Sequence, residues 1–323
     1  GSLVGTSTAI SGLTLTGDAT VNTPARLDVG GAVNLGTFTL TKIGSNTLAF
    51  RSTVNSPDGS IVVEAGRAYV ENNDMTVDTI SVSDGARFGM YNYSNNTRTV
   101  TANITFYGDS RLESDTNVEG NVRFAGTIHI DGGTLTIRDN FGSAGTDADY
   151  IIDSTISGTG TIILNGSNSN SPDDFLQLNG ANTFSGVVQM AGSGPLLLGN
   201  ELALQFATLD TGSSATDSVD FGTLTAATFG GLTGSDNIVL ENASSAAVAL
   251  SVGNNDSDTT YSGGLTGSGS LTKIGTGTLT LSGASSYTGV TSVSSGVLLV
   301  NGDNSGATGA IGVGSGAVLG GNG

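Results

Sequence analysis

The chain has 323 residues, 51 of them Gly and only 4 Pro, with no Cys, no Trp and a formal net charge of -18. The missing Cys excludes disulfides, thiolate zinc sites and thiol catalysis, and 10 Lys and Arg against 28 Asp and Glu leave too few cations to bind nucleic acid or an anionic membrane surface. Gly with no three-residue period excludes collagen, and a 37% hydrophobic share set in alternating runs argues against disorder, so many short strands joined by tight corners are expected.

Alternation starts close to residue 3. Leu13 and Leu15 flank Thr14, and Leu27 and Val29 flank Asp28, with glycines between the runs. The opening GSLVGTSTAI has no basic stretch followed by an apolar core, so no leader is read there. No run of about 18 apolar residues marks a membrane-spanning helix. Residues 40–50, LTKIGSNTLAF, agree with residues 271–281, LTKIGTGTLTL, at seven of eleven positions. After the first copy, Ile61, Val63, Gly66 and Val70 take the places of Val290, Val293, Gly296 and Val300.

Residues 74–160 depart furthest from this pattern and read as an irregular, loop-rich middle. GMYNYSNNTRTV, residues 89–100, is its most polar and aromatic part and reads as a lateral loop or irregular coil. Tyr91, Asn92 and Tyr93 combine aromatic faces with an amide, a set suited to sugar contact. SNSNSPDD, residues 167–174, is a second turn-rich interruption. Residues 175–200 form a third partial copy, with Phe184 where Tyr287 stands. Phe221–Leu224, Ile238–Leu240, Val248–Val252 and Gly263–Leu265 each read as one strand, and NNDSDTTYSG, residues 254–263, as a corner. Residues 270–302 are the most regular stretch and read as three short strands. The tail alternates again at Ile311, Val313, Val318 and Leu319.

A unit of about 30 residues recurring at 40, 175 and 271 means a stack of similar coils, each burying its apolar side on the next. Leu, Val and Ile point inward, and Thr, Ser and Asp outward, where β-branched Thr suits an extended backbone. The expected fold is all-β: one continuous, elongated β-solenoid over residues 1–323, most regular at 263–302.

Residues 263–302, GGLTGSGSLTKIGTGTLTLSGASSYTGVTSVSSGVLLVNG, resemble the autotransporter-associated β-strand repeat. LTKIGSNTLAF and residues 175–200 resemble weaker members, and GAIGVGSGAVLGGNG the element that usually follows the last repeat. The resemblance implies a right-handed parallel β-helix located extracellularly or at the bacterial cell surface. With no membrane β-barrel among these residues, it implies a passenger fragment or a processed subunit.

Catalytic chemistry is mostly missing from the pattern. His129, the only His, lies between Ile128 and Ile130 and reads as a strand-surface residue. The carboxylate pairs Asp147 with Asp149 and Asp173 with Asp174 sit in turn-like contexts, where Asp favours the corner itself. No catalytic residue is assigned, and the chain is not expected to be an enzyme. Asn254, Asn255, Asp256 and Asp258 offer oxygen ligands within five residues and are the calcium candidates, against the plainer reading of an Asx-rich corner. The leading functional expectation is a structural solenoid: a stalk, coat or filament subunit that pairs head to tail with copies of itself through uncapped end coils. The alternative is an adhesin passenger that binds glycans or neighbouring cells through loops near 89–100 or 141–150. A polysaccharide-cleaving enzyme comes third. Neither nucleic acid nor direct membrane insertion is expected.

Overall fold

A computed structural model describes residues 2–4, 9–94, 96–116, 121–139, 150–166, 176–192, 194–212 and 217–323. Among these the chain is strand, turn and bend, with no helix. It divides into two compact units, Gly1–Asp174 and Phe175–Gly323. In both, the paired strands run parallel; an isolated bridge between Glu241 and Ala247 is antiparallel. The expected β-solenoid is therefore the observed fold.

In the first unit two apolar ladders run from coil to coil. Leu27, Leu48, Ala68, Phe88, Leu112 and Ile137 stand in register, as do Leu40, Ile61, Ile80, Ile104, Ile128 and Ile156. All are buried. The strand period of two sends alternate residues outward, so Ser81, Thr105, His129 and Ser157 form a polar ladder beside the second row. Each inward Leu or Ile contributes about 1.5–3 kcal/mol by leaving water. In the second unit Ala227, Leu250, Leu271 and Thr291 continue one another, as do Tyr261, Leu281 and Val300.

The register corrects the repeat length. Leu40 sits opposite Ile61 and Leu271 opposite Thr291, so one coil takes about 20 residues. Residues 270–302 hold four strands, Ser270–Lys273, Thr278–Leu281, Thr291–Val293 and Val297–Val300, and span more than one coil. The counterpart of Ile61 is therefore Thr291, and Val290 is 48% exposed. A slip of one residue reverses the face. Thr291 keeps its inward place because its hydroxyl meets that of buried Tyr287 at 2.6 Å.

Residues 74–160 contain some of the longest strands, Arg98–Tyr107 and Val122–Asp139 among them, and the start of Thr155–Gly166. GMYNYSNNTRTV is mostly strand as well: Arg87–Asn92 ends in it and Arg98–Tyr107 begins in it. Phe221–Leu224 is a turn with Phe221 buried. The strands around it are Leu204–Asp210, Asp217–Asp220 and Ala226–Thr233.

Two devices hold the corners together. Asp side chains accept backbone N–H groups from the following coil. Asp18 takes that of Thr39 (2.9 Å), Asp74 that of Thr99 (2.8 Å), Asp84 that of Asp109 (2.8 Å) and Asp109 that of Thr134 (3.0 Å). Many of the acids that make the chain acidic thus act as coil-to-coil ties. The second device is the lysine of LTKIG. Lys42 and Lys273 are fully buried. Lys42 Nζ donates to the carbonyls of Ile43 (3.2 Å), Gly44 (2.5 Å) and Ala65 (2.6 Å). Lys273 Nζ donates to Ile274 (2.5 Å) and Gly275 (3.1 Å). Gly66 closes over Lys42 from the next coil with φ 68°. A Cβ there would lie 2.7 Å from Lys42 Nζ and 2.6 Å from two carbonyl oxygens. Burial pushes the Lys42 ammonium down to about 8.

Candidate functional site

One outer face of the first unit carries a concentrated set of polar and aromatic groups. It is built on the parallel strands Arg67–Glu71, Arg87–Asn92 and Ser110–Thr116. Ala68, Phe88 and Leu112 fix the strands inward. The same alternation turns Arg67, Arg87 and Arg111 outward as one column, with Tyr69, Gly89 and Glu113 as the next.

Gly89 is required by its neighbours. The Tyr69 ring lies over it, and a Cβ there would come 2.8 Å from Tyr69 Cε1. The Tyr69 hydroxyl reaches across this gap and donates to Glu113 Oε2. Glu113 is also 3.2 Å from Arg87 Nη1 and 3.8 Å from Arg111 Nη1. Burial, reinforced by the Glu113 carboxylate, raises the Tyr69 phenol far above its ordinary value, so it stays a proton donor. Tyr91 packs on Tyr69 with ring centres 4.3 Å apart, and Tyr93 lies nearly parallel to Tyr91 at 6.0 Å. Tyr93 is 42% exposed. Its backbone N–H is held at 2.7 Å by the side chain of Asn72, a residue with φ 58°. Below this lies a four-member ion network. Arg26 pairs with Asp28 (2.7 Å) and Glu71, and Arg51 with Asp28 (3.1 Å) and Glu71 (3.1 Å).

The face brings together Tyr91 and Tyr93 but not Asn92. Asn92 is fully buried. Its amide donates to the carbonyls of Asn96 (2.8 Å) and Asn121 (3.0 Å), and its oxygen accepts from Ser94. It shapes the corner, and the expected sugar contact narrows to the two tyrosines.

At the calcium candidates, Asn254 and Asn255 donate their amides to Gln205 O and Thr208 Oγ1, both at 2.9 Å. Asp256 accepts from the N–H (2.7 Å) and hydroxyl (3.0 Å) of Thr276, and Asp258 from the N–H of Thr278 (2.6 Å). The two Asp contacts are the coil-to-coil ties seen at the other corners. Among the described residues no three His, Asp or Glu gather as a metal-holding group. His129 Nδ1 lies 3.0 Å from Ser157 Oγ on the exposed outer ladder. Asp147, Asp149, Asp173 and Asp174 lie outside the described residues.

Sequence reasoning missed the arginines, Tyr69, Gly89 and Glu113. A signal was present: RAYV, RFGM and RLES each set an Arg in the first two positions of a strand, followed by an inward apolar residue. The lysine of LTKIG was legible as a repeated letter but not as a buried cap.

Residues 271–300 match the model of the passenger-associated-transport-repeat family. An 83-residue stretch, 24% of this chain, is 41% identical to the adhesin BmaC autotransporter of Brucella suis biovar 1 (strain 1330), of which it covers 2%. No solved structure matches the chain. The resemblance read from LTKIGTGTLTL and its continuation is thus upheld at residues 271–300, and the fold that surrounds it is that of an autotransporter-passenger-like β-solenoid.

Proposed function

We propose that this chain is a segment of a surface-displayed or secreted bacterial adhesin, in which regular coils set spacing and the Tyr91–Tyr93 face contacts glycans. The observation that carries the reading is the exposed Tyr93 ring lying nearly parallel to Tyr91, just past the end of strand Arg87–Asn92. Apolar sugar faces stack on such rings, and a ring fixed by its backbone loses little freedom on binding. The likeness to an adhesin over one stretch supports the same reading. The role is non-enzymatic. A glycan array probed with the wild-type chain and with Tyr91→Ala/Tyr93→Ala tests it. Binding that the double variant loses is expected; an array with no wild-type signal refutes it.

A further inference from the structure

Arg67, Arg87 and Arg111 stand directly opposite one another on neighbouring strands, separated by about 4.8 Å per coil. Like charges in register are destabilising. In a chain with net charge -18, such a column runs against the general acidity and needs compensation. Glu113 supplies it for two members, at 3.2 Å from Arg87 and 3.8 Å from Arg111. Arg67 lies at the column's other end and has no carboxylate within 4 Å among the described residues. Its guanidinium sits 6.0 Å over the Tyr69 ring. Burial works against its charge, the Glu113 carboxylate favours it, and its pKa lies above the ordinary value, so it stays cationic. A guanidinium is a planar fork that fits a carboxylate. Arg67 neighbours Tyr91, and through it the Tyr93 ring.

We propose that Arg67 is the anion subsite of this face, pairing with the carboxylate of an acidic sugar while an adjoining sugar ring lies on Tyr93. The ligand class is a polysaccharide bearing uronate carboxylates. The proposal rests on the glycan-adhesin reading above and names the glycan. The column also gives direction. Arg67 and Arg111 are two coils apart, about 9.6 Å, so a chain with acidic groups on alternate sugars would lie along the coil stack.

The test is calorimetric titration of the full chain with a galacturonate oligosaccharide and with the same oligosaccharide after its carboxylates are reduced to alcohols. Arg67→Gln and Arg67→Lys are measured beside the wild type, with melting curves to establish that each is folded. The wild type should bind the acidic form at least about tenfold more tightly than the reduced form, one ion-pair contact's worth. Arg67→Gln should lose about that factor for the acidic form alone. Arg67→Lys, which keeps charge but not the fork, should fall between. Equal affinity for both forms overturns the acidic subsite and leaves glycan adhesion standing. Binding of neither form overturns the subsite and tells against glycan adhesion as well. Dextran sulfate bound as tightly as the galacturonate, with the same dependence on Arg67, overturns the choice of carboxylate.

Discussion

Replacing Glu113 by Gln keeps the shape of the platform and removes its central charge. The carboxylate is 9% exposed, while Arg87 and Arg111 are 31% and 41% exposed. Losing one partner of a fully buried pair costs about 3–5 kcal/mol, and the solvent reaching both arginines reduces that. The Gln carbonyl can still accept the Tyr69 hydroxyl, so the loss is mainly the electrostatic one. About 2 kcal/mol is expected, confined to strands Arg87–Asn92 and Ser110–Thr116. Stacked coils open locally, so a global melting curve would blur the effect. Hydrogen exchange read by peptide is the better assay. About 2 kcal/mol corresponds to roughly 30-fold faster exchange in those strands, less in high salt because part of the interaction is screened. Exchange unchanged there, or accelerated equally in Thr278–Leu281, would refute the reasoning.

Gly66→Ala should be severely destabilising at its corner, by about 3 kcal/mol or more, because φ 68° and three contacts under 2.8 Å leave no room for a Cβ; loss of exchange protection in Arg67–Glu71 checks it. Burial lowers the folded pKa of Lys42 to about 8, below the ordinary 10.5. The unfolded chain therefore binds more protons between these values, and stability should rise with pH across that window by up to about 3 kcal/mol. Denaturation midpoints at both ends of the window should show the rise in the wild type and not in Lys42→Met. The Thr276 N–H and hydroxyl hold the Asp256 carboxyl below its ordinary value. Its contribution is present above the unfolded pKa and disappears as pH falls through the folded one. Asp256→Asn should accordingly flatten the acid-induced loss of protection in Thr278–Leu281.

What the sequence made legible was the inward alternation. Leu279 and Leu281, and Leu27 and Val29, sit where period-two reasoning places them. What it hid follows from distance along the chain. A coil closes about 20 residues later, so Tyr69, Gly89 and Glu113 meet through register alone, and none of the three marks a site by its own neighbours. The repeat unit was misjudged for a similar reason: similarity between 40–50 and 271–281 measures kinship of corners, whereas Leu271 opposite Thr291 measures the coil. Asn92 misled because Asn beside Tyr suits both a sugar contact and a corner, and only its burial separates the two. Residues 74–160 looked irregular because their coils are longer and Arg87 and Arg111 stand among the Thr and Ser of their outward positions. Two of the three strands of the face lie in that departure from the template.

The most direct measurement compares two sets of outward substitutions on one glycan array. One set alters the face, Tyr91→Ala with Tyr93→Ala, and the other the regular repeat, Thr272→Ala with Thr280→Ala. All four side chains lie on or beside coil strands and none belongs to the buried core. Binding lost in the first set and retained in the second is the predicted result. Equal loss in both, or retention by the first, would contradict the claim that the tyrosine face is where this solenoid meets its partner.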